Sequence, residues 1–208
     1  MIESGNRSLL LIISGPSGTG KTTLCDQLVK KFDRISYSVS CTTREPRANE
    51  IDGESYHFLD KKSFDSHLSQ NAFLEHAVVH GNLYGTLRRS VYDALDAGRD
   101  IVMDIDVQGA ELIREYARTT PPGDALRNAW VDVFVVPPTM EALGRRLRDR
   151  GMDDAGAIER RMNQAENELA RAGEYGYLIV NDEIEEAYGI LKSIVVAEHH
   201  RRRIPDSV

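Results

Sequence analysis

Residues 9–23 read LLLIISGPSGTGKTT, and this stretch decides the fold. An uninterrupted apolar run from Leu9 to Ser14 is followed at once by a glycine-rich segment and then by the helical spacing of Leu24 and Leu28. An apolar run of this kind predicts a buried strand, and the residues after it predict a tight loop and a helix. Residues 15–22 also match the pattern G-x-x-x-x-G-K-[ST], in the strand, loop and helix context that this phosphate-binding motif requires.

The motif predicts how the loop holds a nucleotide. Its glycines let the backbone curl so that successive N–H groups point at phosphate oxygens, and the helix that begins near Lys21 directs its positive end to the same place. We expect Lys21 to bridge the transferred phosphate and Thr22 to ligate Mg²⁺. A glycine-rich turn that only caps a helix is the alternative. The predicted nucleotide-binding residues are Gly15, Ser17, Gly18, Thr19, Gly20, Lys21, Thr22 and Thr23.

Three further short apolar segments, 101–106, 131–136 and 177–180, predict more strands. None of them alternates apolar and polar residues, which is typical of strands covered on both faces. The sequence therefore predicts an α/β fold, in which a parallel sheet is flanked by helices. The predicted helices after the first cover residues 90–97, 109–117, 139–150, 154–172 and 182–200.

One of these strands carries Asp104 at its carboxyl end, beside the place expected for the phosphate loop. A carboxylate there suits Mg²⁺, so Thr22 and Asp104 form the predicted metal site. An aspartate that only caps a turn or a helix is the alternative.

Two regions depart from this strand and helix rhythm. Residues 35–86 are richer in Ser, Thr, Tyr and turn residues, and the alternation in 35–40 (ISYSVS) predicts an inserted, partly antiparallel subdomain. Residues 119–124 read TTPPGD and belong to a connection, 119–127, that we expect to be a surface loop.

The charge balance limits the partners. With 26 Lys and Arg against 33 Asp and Glu, the net charge is -7, which argues against general affinity for nucleic acid. No apolar run approaches the roughly 18–20 residues that span a bilayer. Two cysteines without a disulfide pattern favour a cytoplasmic protein. Arginines nevertheless cluster around residues 44–47 and 145–161, as expected of sites for a small, highly charged anion.

Two stretches favour a particular substrate. Arg44 and Arg47 lie among hydroxyl-bearing residues, and two arginine forks suit a terminal phosphate, although a solvated loop is the alternative. Glu75, in AFLEHA, could accept the N1–H and N2–H₂ donors of guanine, whereas adenine presents an unprotonated N1 there. Glu75 could equally be an exposed residue of an amphipathic turn.

From about residue 9 to about residue 201 the chain resembles the bacterial guanylate kinases, which are nucleoside monophosphate kinases with a P-loop NTPase core. The motifs that carry the resemblance are GPSGTGKTT, SVSCTTREPR, DGESYHF, AFLEHA, GNLYGT, DIDVQGA, the RRLRDRG run, IERRM and LIVND. The resemblance implies the reaction ATP + GMP to ADP + GDP with Mg²⁺. It also implies three parts: a core (8–34, 88–138 and 174–203), a GMP-binding subdomain (35–87) and a small helical lid (about 139–173).

The resemblance further implies a role for individual residues. Arg44, Arg47, Tyr56 and Tyr84 would grip the phosphate of GMP; Ser40, Glu75 and Thr86 would face its base, and Glu50 would also hold GMP. Asp104 would lie near the metal, Asp106 towards GMP, and Asn181 would help to seat the adenine of ATP. By spacing as well as resemblance, Arg146 and Arg150 on one helical face would join Arg161 around the transferred phosphoryl group when the lid closes. The predicted catalytic residues are Lys21, Arg44, Arg146, Arg150 and Arg161.

Two other functions stay open from the sequence. One is a catalytically silent guanylate-kinase-like module that binds protein segments, and the other is a kinase for a different small phosphate ester on the same fold. Small-molecule partners, GMP or dGMP and ATP, are expected rather than nucleic acid or membrane. Monomer and homo-oligomer are both possible.

Overall fold

The structure, a computed structural model, describes residues 7–79, 81–149 and 154–201. The strands are β1 (Leu10–Ser14), β2 (Ile35–Tyr37), β3 (Cys41–Thr42), β4 (His57–Phe58), β5 (Phe73–Val79), β6 (Asn82–Leu87), β7 (Asp100–Asp104), β8 (Trp130–Val136) and β9 (Tyr177–Val180). The helices are α1 (Lys21–Lys31), α2 (Lys61–Ser69), α3 (Arg88–Asp96), α4 (Val107–Thr119), α5 (Ala125–Ala129), α6 (Met140–Asp149), α7 (Ala155–Leu169) and α8 (Ile184–His200).

Five strands form one parallel sheet in the order β2-β7-β1-β8-β9. Strand β1 lies at its centre, and all five of its residues are buried. Its residues Leu11 and Ile13 belong to the cluster that α1 and α8 cover, and Leu10 and Ile12 to the cluster that α3, α4 and α5 cover. The predicted α/β fold with helices on both faces is confirmed.

Helices α7 and α8 each carry a row of apolar residues at helical spacing, and both rows face the core. In α7, Ala165 is buried against α6, and Ile158 and Met162 pack beside it. In α8, Leu191 and Val195 are buried against the parallel sheet. These faces hold the two helices in place.

A smaller sheet, in the order β4-β3-β6-β5, carries the inserted subdomain. Pairs β3·β6 and β5·β6 are antiparallel, whereas β3·β4 is parallel, so the predicted partly antiparallel character is confirmed. Helix α2, which the sequence analysis did not predict, packs on this sheet through the buried Phe64. Its start is marked by Asp60, whose side chain accepts a hydrogen bond from Ser63 N at 2.7 Å.

Two predictions made from the sequence are wrong, one for residues 35–40 and one for residues 119–127. The alternating segment 35–40 was expected to start the subdomain, but β2 pairs in parallel with β7 at the edge of the larger sheet. Ser36 and Tyr37 of this strand are only half-buried, so polar side chains are tolerated there although the pairing is parallel. The predicted surface loop 119–127 contains the start of α5, because Asp124 caps that helix and Leu126 is fully buried.

The end of the parallel sheet opposite the phosphate loop is held by Asp100. This fully buried carboxylate accepts a hydrogen bond from Leu9 N at 2.8 Å, and its Oδ2 lies 2.9 Å from Arg34 Nε and 2.8 Å from His199 Nε2. It therefore joins the start of β1 to the end of α8.

Among the helices that the structure describes, none is long and apolar enough to cross a membrane.

We expect Asp100→Ala to lower the free energy of unfolding by about 3–5 kcal/mol, because it leaves buried donors without their acceptor. Urea unfolding at neutral pH measures this. The matched control is Asp93→Ala, which removes an exposed ion pair with Arg89 (N···O 3.4 Å) and is expected to cost about 0.5 kcal/mol or less. Equal losses in the two variants would contradict the role assigned to Asp100.

Candidate active site

The phosphate loop connects β1 to α1 at the carboxyl edge of the parallel sheet. Its first residue, Gly15, has φ 130°, and a Cβ atom there would lie 2.2 Å from the carbonyl oxygen of Val135 in β8. Only glycine allows the loop to turn this closely over the neighbouring strand. The strand, loop and helix predicted around the motif are therefore present.

Two charged or polar side chains of the motif point into the loop region. Lys21 Nζ donates to the carbonyl oxygens of Gly15 at 2.7 Å and Pro16 at 3.1 Å. Thr22 Oγ1 donates to Asp104 Oδ2 at 2.5 Å. Because β7 pairs with β1, the end of β7 places Asp104 beside the start of α1. The two predicted metal-binding residues are thus in direct contact.

The remaining loop residues differ in exposure. Ser17 and Thr23 are exposed, whereas Thr19 is buried and its hydroxyl donates to Pro16 O at 2.9 Å. That bond closes the loop on itself. Contact of each of these residues with a nucleotide stays a prediction.

A cleft of about 260 Å³ opens over the loop. Asp104 and Asp106 line one side, and Gln164 and Glu168 of α7 line the other. Glu168 is buried and accepts a hydrogen bond from Gln164 Nε2 at 2.8 Å. Burial raises the pKa of Glu168 and Asp106 raises it further, while the Gln164 hydrogen bond and the charge of Lys21 lower it.

The sequence analysis missed Gln164 and Glu168. Their spacing could have revealed them, because Gln164 and Glu168 follow Arg161 by three and seven residues and so lie on the same side of the helix. Arg161 itself reaches the phosphate loop, where its Nη1 donates to Ser17 Oγ at 3.3 Å. One side of α7 therefore faces the cleft.

Arg146, another arginine predicted to belong to a lid, is placed differently from Arg161. Arg146 Nη1 donates to the carbonyl oxygen of Asn181 at 2.8 Å, and its Nη2 donates to that of Asp182 at 3.0 Å. Arg150 lies outside the described residues. The structure thus brings Arg161 to the loop and holds Arg146 at the end of β9, so the convergence of three arginines stays a prediction.

Asn181 follows β9 and is 3% exposed. Its side-chain Nδ2 donates to the carbonyl oxygen of Thr19 at 2.7 Å. The side chain therefore contacts the phosphate loop, and the contact with adenine that resemblance implied stays a prediction.

A second site lies on the smaller sheet. Glu75 of β5 is 9% exposed, and its Oε1 accepts a hydrogen bond from Thr86 Oγ1 at 2.7 Å. Ser40 Oγ lies 3.3 Å from the same Thr86 hydroxyl. The three residues predicted to face a base are therefore together, and the exposed-turn reading of Glu75 is wrong. Burial raises the pKa of Glu75, the Thr86 hydrogen bond lowers it, and Asp106 raises it.

Arg44 lies on the same sheet, among the residues predicted to grip a phosphate. Its Nη2 donates to both carboxylate oxygens of Glu50 at 2.7 and 2.9 Å, and its Nε donates to Tyr84 Oη at 3.3 Å. Its guanidinium carbon lies 5.5 Å from the centre of the Tyr56 ring. The hydrogen bond from Arg44 lowers the pKa of Glu50 and raises that of Arg44.

Glu50 organises this group. Besides Arg44, it accepts a hydrogen bond from the backbone N of Arg47 at 2.8 Å, which fixes the turn that carries both arginines. The side chain of Arg47 is exposed. Direct contact of Glu50 with GMP stays a prediction, whereas the structure gives it the role of orienting Arg44.

Asp106 lies between the two sites. Its Oδ1 accepts a hydrogen bond from Gly109 N at 2.8 Å and so caps α4. A Cβ atom on Gly109 would lie 3.5 Å from both Asp106 Oδ1 and Glu75 Oε2. Since Asp106 also lines the cleft over the phosphate loop, the two sites adjoin.

Comparisons with known proteins show which family the chain is similar to. The sequence model of the guanylate kinase family matches residues 7–198. The chain is 41% identical over 200 residues to a guanylate kinase from Clostridium perfringens, covering 96% of this chain and 88% of the relative. It is 44% identical over 192 residues to that of Alkalilimnicola ehrlichii, covering 92% and 90%. The crystal structure of guanylate kinase from Anaplasma phagocytophilum superposes with a TM-score of 0.70 at 32% identity, covering 94% of this chain and 88% of that one.

Proposed function

The chain belongs to the guanylate kinase family, and we propose that its two adjoining sites divide that family's reaction between them. It is a guanylate kinase, which transfers a phosphoryl group from ATP to GMP and releases ADP and GDP. We assign the triphosphate of ATP to the phosphate loop, and GMP to the sheet that carries Glu75 and Arg44. The observation that carries this assignment is the position of Asp106, which lines the cleft over the loop and also faces Glu75.

On the ATP side, Lys21 supplies the ammonium group. Its Nζ is bonded to two neutral carbonyl oxygens of the loop. A phosphate oxygen that enters the cleft offers the ammonium a negatively charged acceptor, which attracts it more strongly than a neutral carbonyl oxygen does. Glu168 also lines the cleft, and its carboxylate would repel the incoming phosphates.

On the GMP side, Glu75 reads the base. As a carboxylate it accepts the N1–H and N2–H₂ donors of guanine, while the Thr86 hydroxyl holds one of its oxygens in place. Arg44, oriented by Glu50 and packed beside Tyr56 and Tyr84, binds the phosphate of GMP. Arg47 and Ser40 complete the substrate contacts.

The residues at the loop fit Mg²⁺. Thr22 and Asp104 offer two oxygen ligands that already touch, and oxygen is the donor type that this ion prefers. Within the described ranges, no group of three or more His, Cys, Asp or Glu side chains could hold a metal by itself. Mg²⁺ is usually held by one or two protein carboxylates and by the phosphates of the nucleotide. When bound, it would neutralise charge on the phosphates.

The chemical step is a direct transfer. An oxygen of the GMP phosphate attacks the γ-phosphorus of ATP, a new P–O bond forms, and the bond to the β–γ bridging oxygen breaks to release ADP. Lys21, Arg44 and Arg161 stabilise the charge on the passing phosphoryl group, with Arg146 and Arg150 joining when the lid closes. Closure also excludes water, which otherwise competes with GMP for the phosphoryl group.

The test is a coupled assay of ADP release with GMP, dGMP, AMP and ribose 5-phosphate as acceptors. We expect GMP to be turned over, and kcat/KM for AMP to be lower by at least about 10²-fold, because AMP leaves the buried Glu75 without donors. Equal turnover of AMP contradicts the base-recognition proposal.

The same assay separates the alternatives. Binding of GMP without ADP release would indicate the catalytically silent module, and preference for a phosphate ester without guanine would indicate a different substrate. Neither is favoured by the site, in which Lys21, Thr22, Asp104 and Arg44 are all in place.

We propose a cytoplasmic location. Its support is the cysteine chemistry, because Cys25 and Cys41 are both buried and free. Free cysteines are usual in a reducing compartment.

A further inference from the structure

Asn181 makes a buried contact that the proposed mechanism does not use. It lies at the carboxyl end of β9, where its backbone N donates to Val136 O at 2.8 Å. Its side-chain Nδ2 donates to Thr19 O at 2.7 Å. Because a carbonyl oxygen can only accept, the NH₂ group of the amide must face Thr19. A residue 162 positions away thus supports the middle of the phosphate loop.

The same amide packs against the next residue of the loop. Gly20 has φ 92°, and a Cβ atom there would lie 2.3 Å from Asn181 Nδ2. Gly20 immediately precedes α1, whose first residue is Lys21. The side chain of Asn181 therefore sets the turn from which Lys21 and the first amides of α1 project.

In the part of the chain that the structure describes, the amide oxygen of Asn181 makes no hydrogen bond comparable to that of Nδ2 with Thr19. Among the described residues, Asn181 Oδ1 is buried and has no hydrogen-bond partner. A buried acceptor without a partner is unfavourable, and an apolar side chain of the same size avoids this penalty. The donor contact with Thr19 is the feature that distinguishes asparagine at this position.

Asn181 also contacts the lid helix. Its backbone carbonyl accepts a hydrogen bond from Arg146 of α6 at 2.8 Å. One residue therefore touches the phosphate loop through its side chain and α6 through its backbone.

We propose that Asn181 is a positioning residue that holds Thr19 and Gly20 in the triphosphate-binding shape of the loop, a role that rests on the proposed binding of ATP there. It acts through the backbone of the loop, which its side-chain Nδ2 contacts at Thr19 O. It has no effect on the GMP site, whose residues Ser40, Glu75 and Thr86 belong to the other sheet and its flanking segment.

The test uses Asn181→Leu, which keeps the approximate size of the side chain, adds no charge and removes the donor to Thr19 O. Calorimetric titration measures the Kd of ATP, of inorganic tripolyphosphate, which has no base, and of GMP. We expect the Kd values of ATP and tripolyphosphate to rise together by about tenfold or more, and that of GMP to change by less than about twofold. Asn181→Ala, which removes the same donor and also leaves the space beside Gly20 unfilled, is expected to show the same pattern.

The matched control is Asp182→Asn, which changes an exposed side chain and keeps the carbonyl that Arg146 contacts. Its Kd values should equal those of the unmodified protein. Weaker binding of ATP with unchanged binding of tripolyphosphate would overturn the proposal in favour of a base contact. A Kd that changes for GMP as much as for ATP, or for neither, would also overturn it, since a purely structural role lowers only the fraction of active protein. Should Asn181→Leu not fold, as thermal melting would show, Asn181→Ala decides by the same criteria.

Discussion

Lys21→Ala is expected to lower kcat by about 10³-fold or more, while the protein keeps its fold. The ammonium group is the charge that the loop presents to the transferred phosphoryl group, and nothing else in α1 can replace it. Charge on the equatorial oxygens is greatest in the transition state, so the loss should appear mainly in kcat. Steady-state kinetics with both substrates saturating measures it.

The fold should survive because Lys21 Nζ bonds only to two carbonyl oxygens of the loop. Two such bonds at a half-buried site contribute about 1 kcal/mol to stability. The control is Lys30→Ala, on the exposed side of the same helix, which should leave kcat unchanged. Turnover of Lys21→Ala at the level of this control would refute the role given to the loop.

The second large effect is expected for Glu75→Gln. We expect kcat/KM for GMP to fall by about 10²-fold or more and the preference over AMP to collapse, because the amide presents a donor to the N1–H and N2–H₂ donors of guanine. Its Oε1 can still accept the Thr86 hydrogen bond, so the site keeps its shape. The competition of GMP and AMP in the ADP-release assay gives the selectivity.

A control for this variant is Glu54→Gln, an exposed glutamate of the same subdomain, which should retain full selectivity. If Glu75→Gln discriminated between GMP and AMP as well as this control does, guanine recognition would have to lie elsewhere.

The pH profile gives an independent reading of Glu75. Burial raises its pKa, so its carboxylate takes up a proton at a higher pH than an ordinary glutamate does. The protonated group no longer offers two acceptors, so KM for GMP should rise as the pH falls through this raised pKa. That step should be absent in Glu75→Gln, while any step from the phosphate of GMP, with its second pKa near 6, should remain in both proteins.

The raised pKa of Glu75 also predicts an effect on the stability of the unliganded protein: the ionised form that GMP binding needs is the less favourable form in the folded state. A carboxyl group whose pKa is raised on folding stabilises the folded state below its unfolded pKa, and this contribution is lost as the pH rises through the folded pKa. At neutral pH the ionised Glu75 therefore costs the unliganded protein stability. Glu75→Gln should unfold at an equal or higher urea concentration than the unmodified protein does.

The phosphate loop and the parallel sheet could be predicted from residues close together in the chain. A glycine-rich turn between an apolar run and a helix depends on local backbone conformation, and a run without alternation already indicates a strand covered on both faces. The burial of Ala165 and Leu191 likewise follows from helical spacing. The motif similarity supplied the substrate residues, and the structure brings Ser40, Glu75 and Thr86 together.

The predictions failed where neighbours in space, rather than in sequence, decide the conformation. The alternation in 35–40 indicates one open face, but it does not tell which sheet the strand joins, and β2 joins the parallel one. The burial of Leu126 turns part of the expected loop 119–127 into a helix. Asp124, the cap of α5, was the local signal for that helix, whereas no local signal showed which sheet β2 joins.

The sequence by itself determined the α/β class, the phosphate loop with Lys21 and Thr22, and the helix faces that form the core, because glycine conformations and side-chain periodicities act within a few residues. Only the tertiary structure decided which polar groups share a buried environment. It places Glu168 in the cleft, Glu75 beside Asp106, and Asn181 against Thr19. These contacts depend on how helices and sheets pack across long separations in the chain, and there a buried polar group must find its partner wherever the packing brings one.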